Sequence, residues 1–469
     1  MVSFTPQDWV KRLSRALDER QGRYALLSSY ASGEHPLPQA ADPRWKSRAD
    51  AFARRARTNY CGLASSSVRE RLTPVGFRSG SQGTNDIDQL AWGWWQASHL
   101  DADSELVHSA ALDLGEAYVI VGMVNGKLTI TPEDPRNVIV ELDPLDRRTP
   151  IAGLKRWIDP VENKLRAILY LPDSIHYFQR TRNAWESFDA TFSMLEVESV
   201  NENPLGVVPI ERFVNRPDLL GDGLAEFEDA IDVQERVNHL CLNLLQIAEA
   251  QAFRQRYVKG LPTEDEDGNP IDPPFEALIH SLWAVEDTDV EFGEFQQVDL
   301  KPILDALSSA TEAFVTLTGL PPHYVAGDLV NASADALAAA EARLVAKVRA
   351  RQRQFGESWE RVLRLAGKWE GVDLPEDIEV IWADPERKTT AQLADAALKA
   401  SQFGVPFRTR MADYGKTPQE IERMEAERDA DAKHEAQRAA TATAAIMGGP
   451  DNADGFPGVD QPARPAAQD

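Results

Sequence analysis

The amino-acid sequence predicts an α+β protein in which long amphipathic helices frame an antiparallel β domain. Residues 300–365 are typical of an amphipathic helix, a proline-rich loop and a second, much longer helix. Residues 116–215 are typical of short strands separated by turns, with Asn125-Gly126 as a two-residue hairpin turn. Residues 224–253 carry a further apolar stripe at helical spacing, so two helices bracket a small mixed module.

Composition narrows the classes of protein that fit. The chain has 469 residues and a formal net charge of -25, which argues against a protein whose main task is to grip nucleic acid, because neutralising phosphates requires Lys and Arg. Cys61 and Cys241 are too few for a disulfide framework or a Cys-based zinc site. We expect neither a secretory signal nor a membrane span, since no apolar run has the required length and flanks.

The N-terminal region is predicted to be mainly helical. Pro6 falls in the first turn of one helix, and Gly33 with two following prolines ends a helical stretch that includes Tyr24. A further helix is predicted over residues 87–97. Asp103 is predicted to cap the helix after it.

The proline-rich loop carries the strongest breakers in the chain. Pro321 and Pro322 cannot continue the first helix, and Ser333 or Asn331 is predicted to cap the second. His323 is the one side chain of this loop with acid–base capability near neutral pH, and nothing nearby in sequence orients it. The loop is therefore interpreted as a shaped connection between two helices and not as a catalytic pocket.

Motifs of catalysis are missing from the sequence. It contains no G-x-x-x-x-G-K-S/T phosphate loop, no G-x-S-x-G elbow and no H-E-x-x-H pair. We predict no catalytic residue, no cofactor and no metal site, and a structural protein instead of an enzyme. One acidic cluster could be pictured as metal ligands, but a helix start with acidic residues in its first turn is the simpler interpretation. The cluster consists of Asp101, Asp103, Glu105 and His108.

Three further groups of residues have two interpretations each. The tryptophans at 92, 94 and 95 favour core and subunit contact over a nucleic-acid stacking platform, because acidic residues lie beside them. The basic residues Lys347, Arg349, Arg351 and Arg353 form either a solvated or subunit-pairing surface or, by symmetry, a positive ring that faces DNA. The acidic residues Glu264, Asp265, Glu266 and Asp267 form either a solvated hairpin tip or a surface for a basic partner.

Several short motifs occur in a specific order. Residues 318–324 read Thr-Gly-Leu-Pro-Pro-His-Tyr, and residues 354–359 read Gln-Phe-Gly-Glu-Ser-Trp. Upstream are Gly-Glu-His-Pro-Leu-Pro at 33–38 and Asn-Pro-Leu-Gly-Val-Val-Pro at 203–209. Together they resemble the portal proteins of tailed bacteriophages, most closely those of long-tailed phages of actinobacteria. The resemblance runs from about Tyr24 to Gly415.

This resemblance implies a portal-type fold with long stem and wing helices, an antiparallel β wing domain, a small α/β clip and a helical crown. The implied parts are the N-terminal helical part of the wing (1–115), the β-rich wing (116–216), the first stem helix (217–253), the clip (254–299), the second stem helix (300–319), the tunnel loop (320–333), the long wing helix and strand (334–384), the helical crown (385–440) and a disordered tail (441–469).

The resemblance also implies a function. Portal proteins form a ring, usually of twelve subunits, at one capsid vertex, and double-stranded DNA passes through it without sequence specificity during packaging and ejection. The implied partners are the terminase large subunit, head–tail adaptors, and major capsid and scaffold proteins, with no membrane. The implied location is the virion, with the bacterial host cytoplasm during assembly. The tunnel-loop residues implied to face DNA are Pro321, Pro322, His323, Tyr324, Asp328, Leu329, Val330 and Asn331. The alternatives are another capsid or scaffold assembly protein and, less favoured, a soluble enzyme.

Overall fold

The computed structural model describes residues 4–37, 53–80, 85–182, 195–252, 256–260, 290–294, 298–326, 334–386 and 390–447. The chain divides into two compact units, residues 1–387 and 388–469. Within the described ranges, no helix combines the length and the apolar character needed to cross a membrane. The acidic residues 264–267 and the predicted helix caps at 331 and 333 lie outside these ranges.

Helix α1 (Pro6–Ser32) opens the first unit. Thr5 and Asp8 form a reciprocal capping box at its start, and Gly33, with φ 77°, ends it in the left-handed conformation that glycine adopts without strain. The predicted start and stop are confirmed. The two predicted helical stretches are one continuous helix, because nothing between them breaks the pattern of buried residues from Val10 to Tyr30.

The next elements build a tryptophan-rich core. They are α2 (Tyr60–Arg69), β1 (Pro74–Arg78), α3 (Asn85–Ala97) and α4 (Leu100–Leu114). Helix α4 begins earlier than predicted: His99, with φ 57°, precedes it, and Asp103 lies inside its first turn. The prediction of Asp103 as the cap is therefore wrong. An acidic side chain in the first turn is still stabilised by the helix dipole.

The β domain is antiparallel throughout the described residues, as predicted. Strands β2 (Glu116–Val124), β3 (Lys127–Glu133) and β9 (Ile210–Val214) form a sheet of order β3-β2-β9. A second sheet, of order β4-β5-β6-β7-β8, contains β4 (Val138–Leu142), β5 (Pro150–Asp159), β6 (Lys164–Tyr170), β7 (Ser174–Thr181) and β8 (Glu196–Glu202). The predicted hairpin turn is confirmed. Asn125 and Gly126 have φ 51° and 74°, as the two-residue turn requires.

Helices α5 (Ile231–Ala252) and α6 (Lys301–Thr318) pack as an antiparallel pair. Val233 near the start of α5 shares an apolar cluster with Phe314 near the end of α6, and at the other end Gln251 Nε2 donates to the Val298 carbonyl at 2.5 Å. Beyond this end, β10 (Arg256–Lys259) pairs with β11 (Glu291–Glu294). The helix pair α5–α6 is as predicted, except that a 3-10 turn, Glu228–Ala230, replaces the predicted first turns of α5.

Helix α8 (Ala334–Glu370) follows the short helix α7 (His323–Ala326) and spans 37 residues, about 55 Å. Its buried stripe, from Leu344 to Ala366, packs on the tryptophan-rich core and on the β3-β2-β9 sheet. After it, β12 (Glu379–Trp382) pairs antiparallel with β1, about 300 residues earlier in the chain. Helix α8 is thus the element on which the helical and β parts of the first unit meet.

The second unit is helical in its described part. It contains α9 (Thr390–Gln402), α10 (Phe407–Asp413) and α11 (Pro418–Met447). Helix α9 begins later than the predicted start at Pro385, and α11 extends beyond the predicted end near residue 440. Residues 448–469, most of the predicted disordered tail, lie outside the described ranges.

Candidate functional site

The candidate site is the turn that joins the end of α6 to α7. The last carbonyls of a helix lack partners within the helix. Here Gly319, with φ 70°, donates its N–H to the Val315 carbonyl at 2.8 Å, and the Thr318 hydroxyl donates to the Phe314 carbonyl at 2.8 Å. A Cβ on residue 319 would lie 3.1 Å from Arg343 Nε on α8. Glycine therefore serves both the backbone angle and the close approach of α8.

The two prolines shape the turn itself. Leu320 and Pro321 are buried, whereas Pro322 is exposed. The carbonyl oxygens of Pro321 and Pro322 accept the backbone N–H groups of Tyr324 and Val325 at 3.0 and 3.2 Å. The prolines end α6 because they have no N–H to donate, and their carbonyls start α7. The turn is thus anchored in the core at its beginning and self-bonded afterwards.

A polar cluster holds the far side of the turn. Arg71, next to α2, donates to the Tyr324 hydroxyl at 3.0 Å and to Glu341 of α8 at 2.9 Å. The Tyr324 hydroxyl in turn donates to Glu341 at 3.2 Å. His323 Nε2 lies 3.8 Å from Glu341. His323, for which the nearby sequence offers no orienting group, therefore lies beside a carboxylate that belongs to α8.

The predicted tunnel-loop residues divide into two sets. Pro321, Pro322, His323 and Tyr324 lie in this turn. Asp328, Leu329, Val330 and Asn331 lie outside the described residues, as do Glu264, Asp265, Glu266 and Asp267 of the predicted clip tip. That these residues face DNA or a partner stays a prediction.

The four basic residues of α8 differ in their surroundings. Lys347 Nζ lies 2.8 Å from Glu226 Oε1, and Arg351 lies 3.2 Å from Glu226 Oε2. Arg349 pairs with Glu386 at 2.6 Å and remains half exposed, and Arg353 is exposed. Two of the four cations are therefore directed into the protein by one buried carboxylate. A positive ring would form only when several chains assemble, so the predicted ring stays a prediction.

Glu226 is the buried partner of this pair of cations. Its side chain is 1% exposed, and Asn215 donates to it at 3.3 Å. Burial alone would raise the pKa of Glu226, but Lys347 and Arg351 together hold that pKa below its ordinary value. Glu226 is therefore ionised at neutral pH. Lys347 also donates to the carbonyl of Thr318, so the same side chain reaches the end of α6.

Two members of the acidic cluster that was considered as a metal site bind different tryptophans in the fold. His108 is fully buried and its Nε2 accepts the indole N–H of Trp359 at 3.0 Å, while Asp101 accepts the indole N–H of Trp95 at 2.9 Å. Trp95 packs edge-on against Trp359 with ring centres 4.8 Å apart. The predicted role of the tryptophans in the core is confirmed for Trp94 and Trp95, which are buried.

Sequence reasoning missed three residues that hold the turn: Arg71, Glu226 and Glu341. Arg71 and Glu341 are 270 residues apart, so no local pattern links them. One signal was available for Glu226. Lys347 and Arg351 are four residues apart on a helix and hence lie on one face, which indicates a shared acidic partner.

Comparisons with known proteins cover most of the chain. Residues 10–434 match the family model described as phage portal protein, SPP1 Gp6-like. The portal protein of Mycobacterium phage D29 is 30% identical over 398 residues, with 79% of this chain and 78% of that protein covered. The portal protein of Mycobacterium phage L5 is 30% identical over 399 residues, with the same shares covered.

Two solved structures also align with the chain. One is the virion of a native gene transfer agent particle, with 13% identity, 82% of this chain and 94% of that chain covered, and a TM-score of 0.42. The other is the neck of the native particle computed with C12 symmetry, with 11% identity, 84% and 98% covered, and a TM-score of 0.45. The resemblance to portal proteins of actinobacterial phages is confirmed by the family model and the two mycobacteriophage relatives. The chain belongs to the family of phage portal proteins of the SPP1 Gp6-like type.

Proposed function

We propose that copies of this chain form a closed ring, of about twelve subunits as the family resemblance implies, at one capsid vertex. Double-stranded DNA passes through the ring during packaging and ejection. The observation that carries this proposal is the surface of α6. The helix buries Ala310 and Phe314 against its own chain but leaves Leu304 and Leu317 about half exposed, at 48% and 49%. A neighbouring subunit would cover these leucines.

The charges on α6 support the passage of DNA. Asp305 and Glu312 are exposed on this helix, and Lys301 is its one basic residue. An acidic wall repels phosphates and lets DNA slide, whereas a basic wall would bind each phosphate in turn. Among the four predicted ring residues, Arg349 and Arg353 keep exposed side chains, and we assign contact with DNA or with a neighbouring subunit to these two.

The parts of the chain receive the following proposed roles. Residues 1–216 and 334–384 form the wing, which meets major capsid and scaffold proteins. Helices α5 and α6 form the stem, residues 320–333 the tunnel loop and residues 385–440 the crown. The clip, 254–299, docks the terminase large subunit and later the head–tail adaptors; its placement is supported by the antiparallel helix pair whose tip it occupies. We assign the protein to the virion, and to the host cytoplasm during assembly.

Native mass spectrometry and negative-stain microscopy of the purified full chain test this proposal. The expected result is a closed ring of about twelve copies with a central hole, and restoration of DNA packaging when the protein is supplied to a phage that lacks its portal gene. A stable monomer or dimer with hydrolase activity would overturn the proposal in favour of a soluble enzyme. An array without a central hole would favour a capsid or scaffold protein.

A further inference from the structure

The end of α6 is capped by a side chain from another helix. Lys347 of α8 donates from its ammonium group to the carbonyl of Thr318, the last residue of α6, 29 residues earlier in the sequence. A cation at this position satisfies a free carbonyl and also meets the negative end of the helix dipole. Helix α6 has no basic residue in its own last turn. The charge at the start of the turn is therefore supplied from α8.

The charges buried around Glu226 explain why the ammonium group of Lys347 also contacts the end of α6. Glu226 carries one negative charge and faces two cations, Lys347 at 2.8 Å and Arg351 at 3.2 Å. The end of α6 contributes a partial negative charge of about one half. This partial charge offsets part of the excess positive charge of the two cations over the one carboxylate. An uncompensated charge costs more free energy in a protein interior than in water. Glu226 thus holds Lys347 in place, and the helix end completes its coordination.

The opposite side of the turn is held to the same helix. Glu341, six residues before Lys347 on α8, accepts from Tyr324 at 3.2 Å and from Arg71 at 2.9 Å. Arg343 lies between these two anchors and approaches Gly319. Residues 318–324 therefore lie along residues 341–347 of α8, fixed at both ends by polar side chains. Of the two anchors, Lys347 fixes the point at which the chain leaves α6.

We propose that Lys347 is a positioning residue for DNA passage: by capping α6 while bound to Glu226, it fixes the turn at 318–324 relative to the wing helix. This inference rests on the proposed channel function. It gives Lys347 a role inside the subunit, in place of a share in a ring of charges that face DNA. Arg351 and Asn215 contact the other oxygen of Glu226, Oε2, so the removal of Lys347 leaves the buried carboxylate with one cation instead of two.

The test compares Lys347→Met with Lys347→Arg and with the matched control Lys368→Met, which removes an exposed cation from the same helix. Hydrogen exchange of the assembled ring is followed for the amides of residues 319, 320 and 323–325, since the two prolines between them have no amide hydrogen. Lys347→Met is expected to accelerate their exchange about fivefold or more, the effect of losing about 1 kcal/mol of helix-end stabilisation. Lys347→Arg and Lys368→Met are expected to keep wild-type exchange there. Lys347→Met is expected to lower the thermal midpoint by no more than about 4 °C, in line with the loss of about 1 kcal/mol, and the other two variants are expected to leave it unchanged. All three are expected to keep the wild-type number of subunits in the ring.

The functional readout is the yield of DNA-filled particles in complementation. Lys347→Met is expected to reduce it at least about tenfold, and Lys347→Arg to restore it. Wild-type exchange at these amides in Lys347→Met, or acceleration spread over the whole chain, would overturn the positioning role. A normal yield despite faster local exchange would overturn its importance for DNA passage. Failure of the wild-type chain to form rings would instead contradict the proposed function itself.

Discussion

Trp359 of α8 donates its indole N–H to Nε2 of His108 in α4 at 3.0 Å, with both side chains fully buried. The imidazole must be neutral to accept this bond through Nε2. Burial lowers the pKa of His108 to about 3, because the charged imidazolium would lose its hydration at this position. The contact therefore joins α8 to the N-terminal helices in a way that depends on pH.

Acid should weaken the first unit through His108. The folded-state pKa is about 3 and the ordinary value is 6.5, so the unfolded chain binds the extra proton first as the pH falls. The contribution of His108 to stability is thus complete above pH 6.5 and declines from there towards pH 3, by up to about 1.4 kcal/mol per pH unit. His108→Gln, which offers an acceptor that does not titrate, should flatten this decline between pH 6.5 and 4.5 in thermal unfolding. An unchanged decline would show that His108 does not control it.

The contribution of Glu211 to stability should depend on pH in the opposite direction and fall as the pH rises towards neutral. Burial raises the pKa of Glu211 to about 7, although Arg361 lies 2.8 Å away and opposes the rise. The folded state therefore binds the proton more tightly than the unfolded chain, and stability is lost as the pH rises from about 4.5 to 7. Glu211→Gln should gain up to about 3 kcal/mol over wild type between pH 5 and 7.5. The control is Glu357→Gln, an exposed neighbour of Arg361, for which we expect the same pH dependence as wild type.

Removal of the Glu116 charge should destabilise the junction of α1 with the β domain. Glu116 is buried and pairs with Arg20 and Arg212, each at 2.6 Å. Glu116→Gln would leave two arginines without their carboxylate, at a cost of about 3–5 kcal/mol in the free energy of unfolding. Glu19→Gln, which breaks an exposed pair with Arg15, should cost less than about 0.5 kcal/mol. Equal effects of both changes in denaturant titration would contradict the role of Glu116.

Charges introduced at the two exposed leucines of α6 should prevent ring formation. Leu304→Asp with Leu317→Asp leaves the buried residues of α6 untouched, so the monomer should fold with a normal thermal midpoint. The ring should be lost in native mass spectrometry, because burying two carboxylates between subunits is costly. Val161→Asp, at a turn residue that is 92% exposed, is the control and should leave ring formation intact. Normal rings from the double variant would place the subunit contact elsewhere.

Deletion of residues 254–299 should separate assembly from partner binding. Gln251 contacts Val298, so the ends of α5 and α6 are adjacent and a short Gly-Ser linker can replace the segment. The ring should still form, and binding of the terminase large subunit, measured by co-purification, should be lost. A second variant replaces only Glu264 to Asp267 with serines and asks whether the acidic run makes the contact. Normal packaging by the deletion variant would contradict the clip assignment.

Local patterns in the sequence predicted much of the fold. The helix pair α5–α6, the long helix α8 and the hairpin at Asn125-Gly126 follow from side-chain periodicity and turn chemistry, which act within a few residues. The pairing of β1 with β12 could not be predicted in this way. Each strand is short, and the choice of partner depends on how α8 brings distant segments together.

The sequence by itself determined the helices and strands, the proline turn and the membership of the portal family. Tertiary structure alone decided what the charged side chains do. The sequence indicates that Lys347 and Arg351 are surface cations, yet both form ion pairs with the buried carboxylate of Glu226. Arg71, which lies next to α2, donates hydrogen bonds to Tyr324 and Glu341. The physical reason is that a buried charge is stable only beside an opposite charge at about 3 Å. Which charges come that close depends on how the helices pack, and packing involves the whole chain.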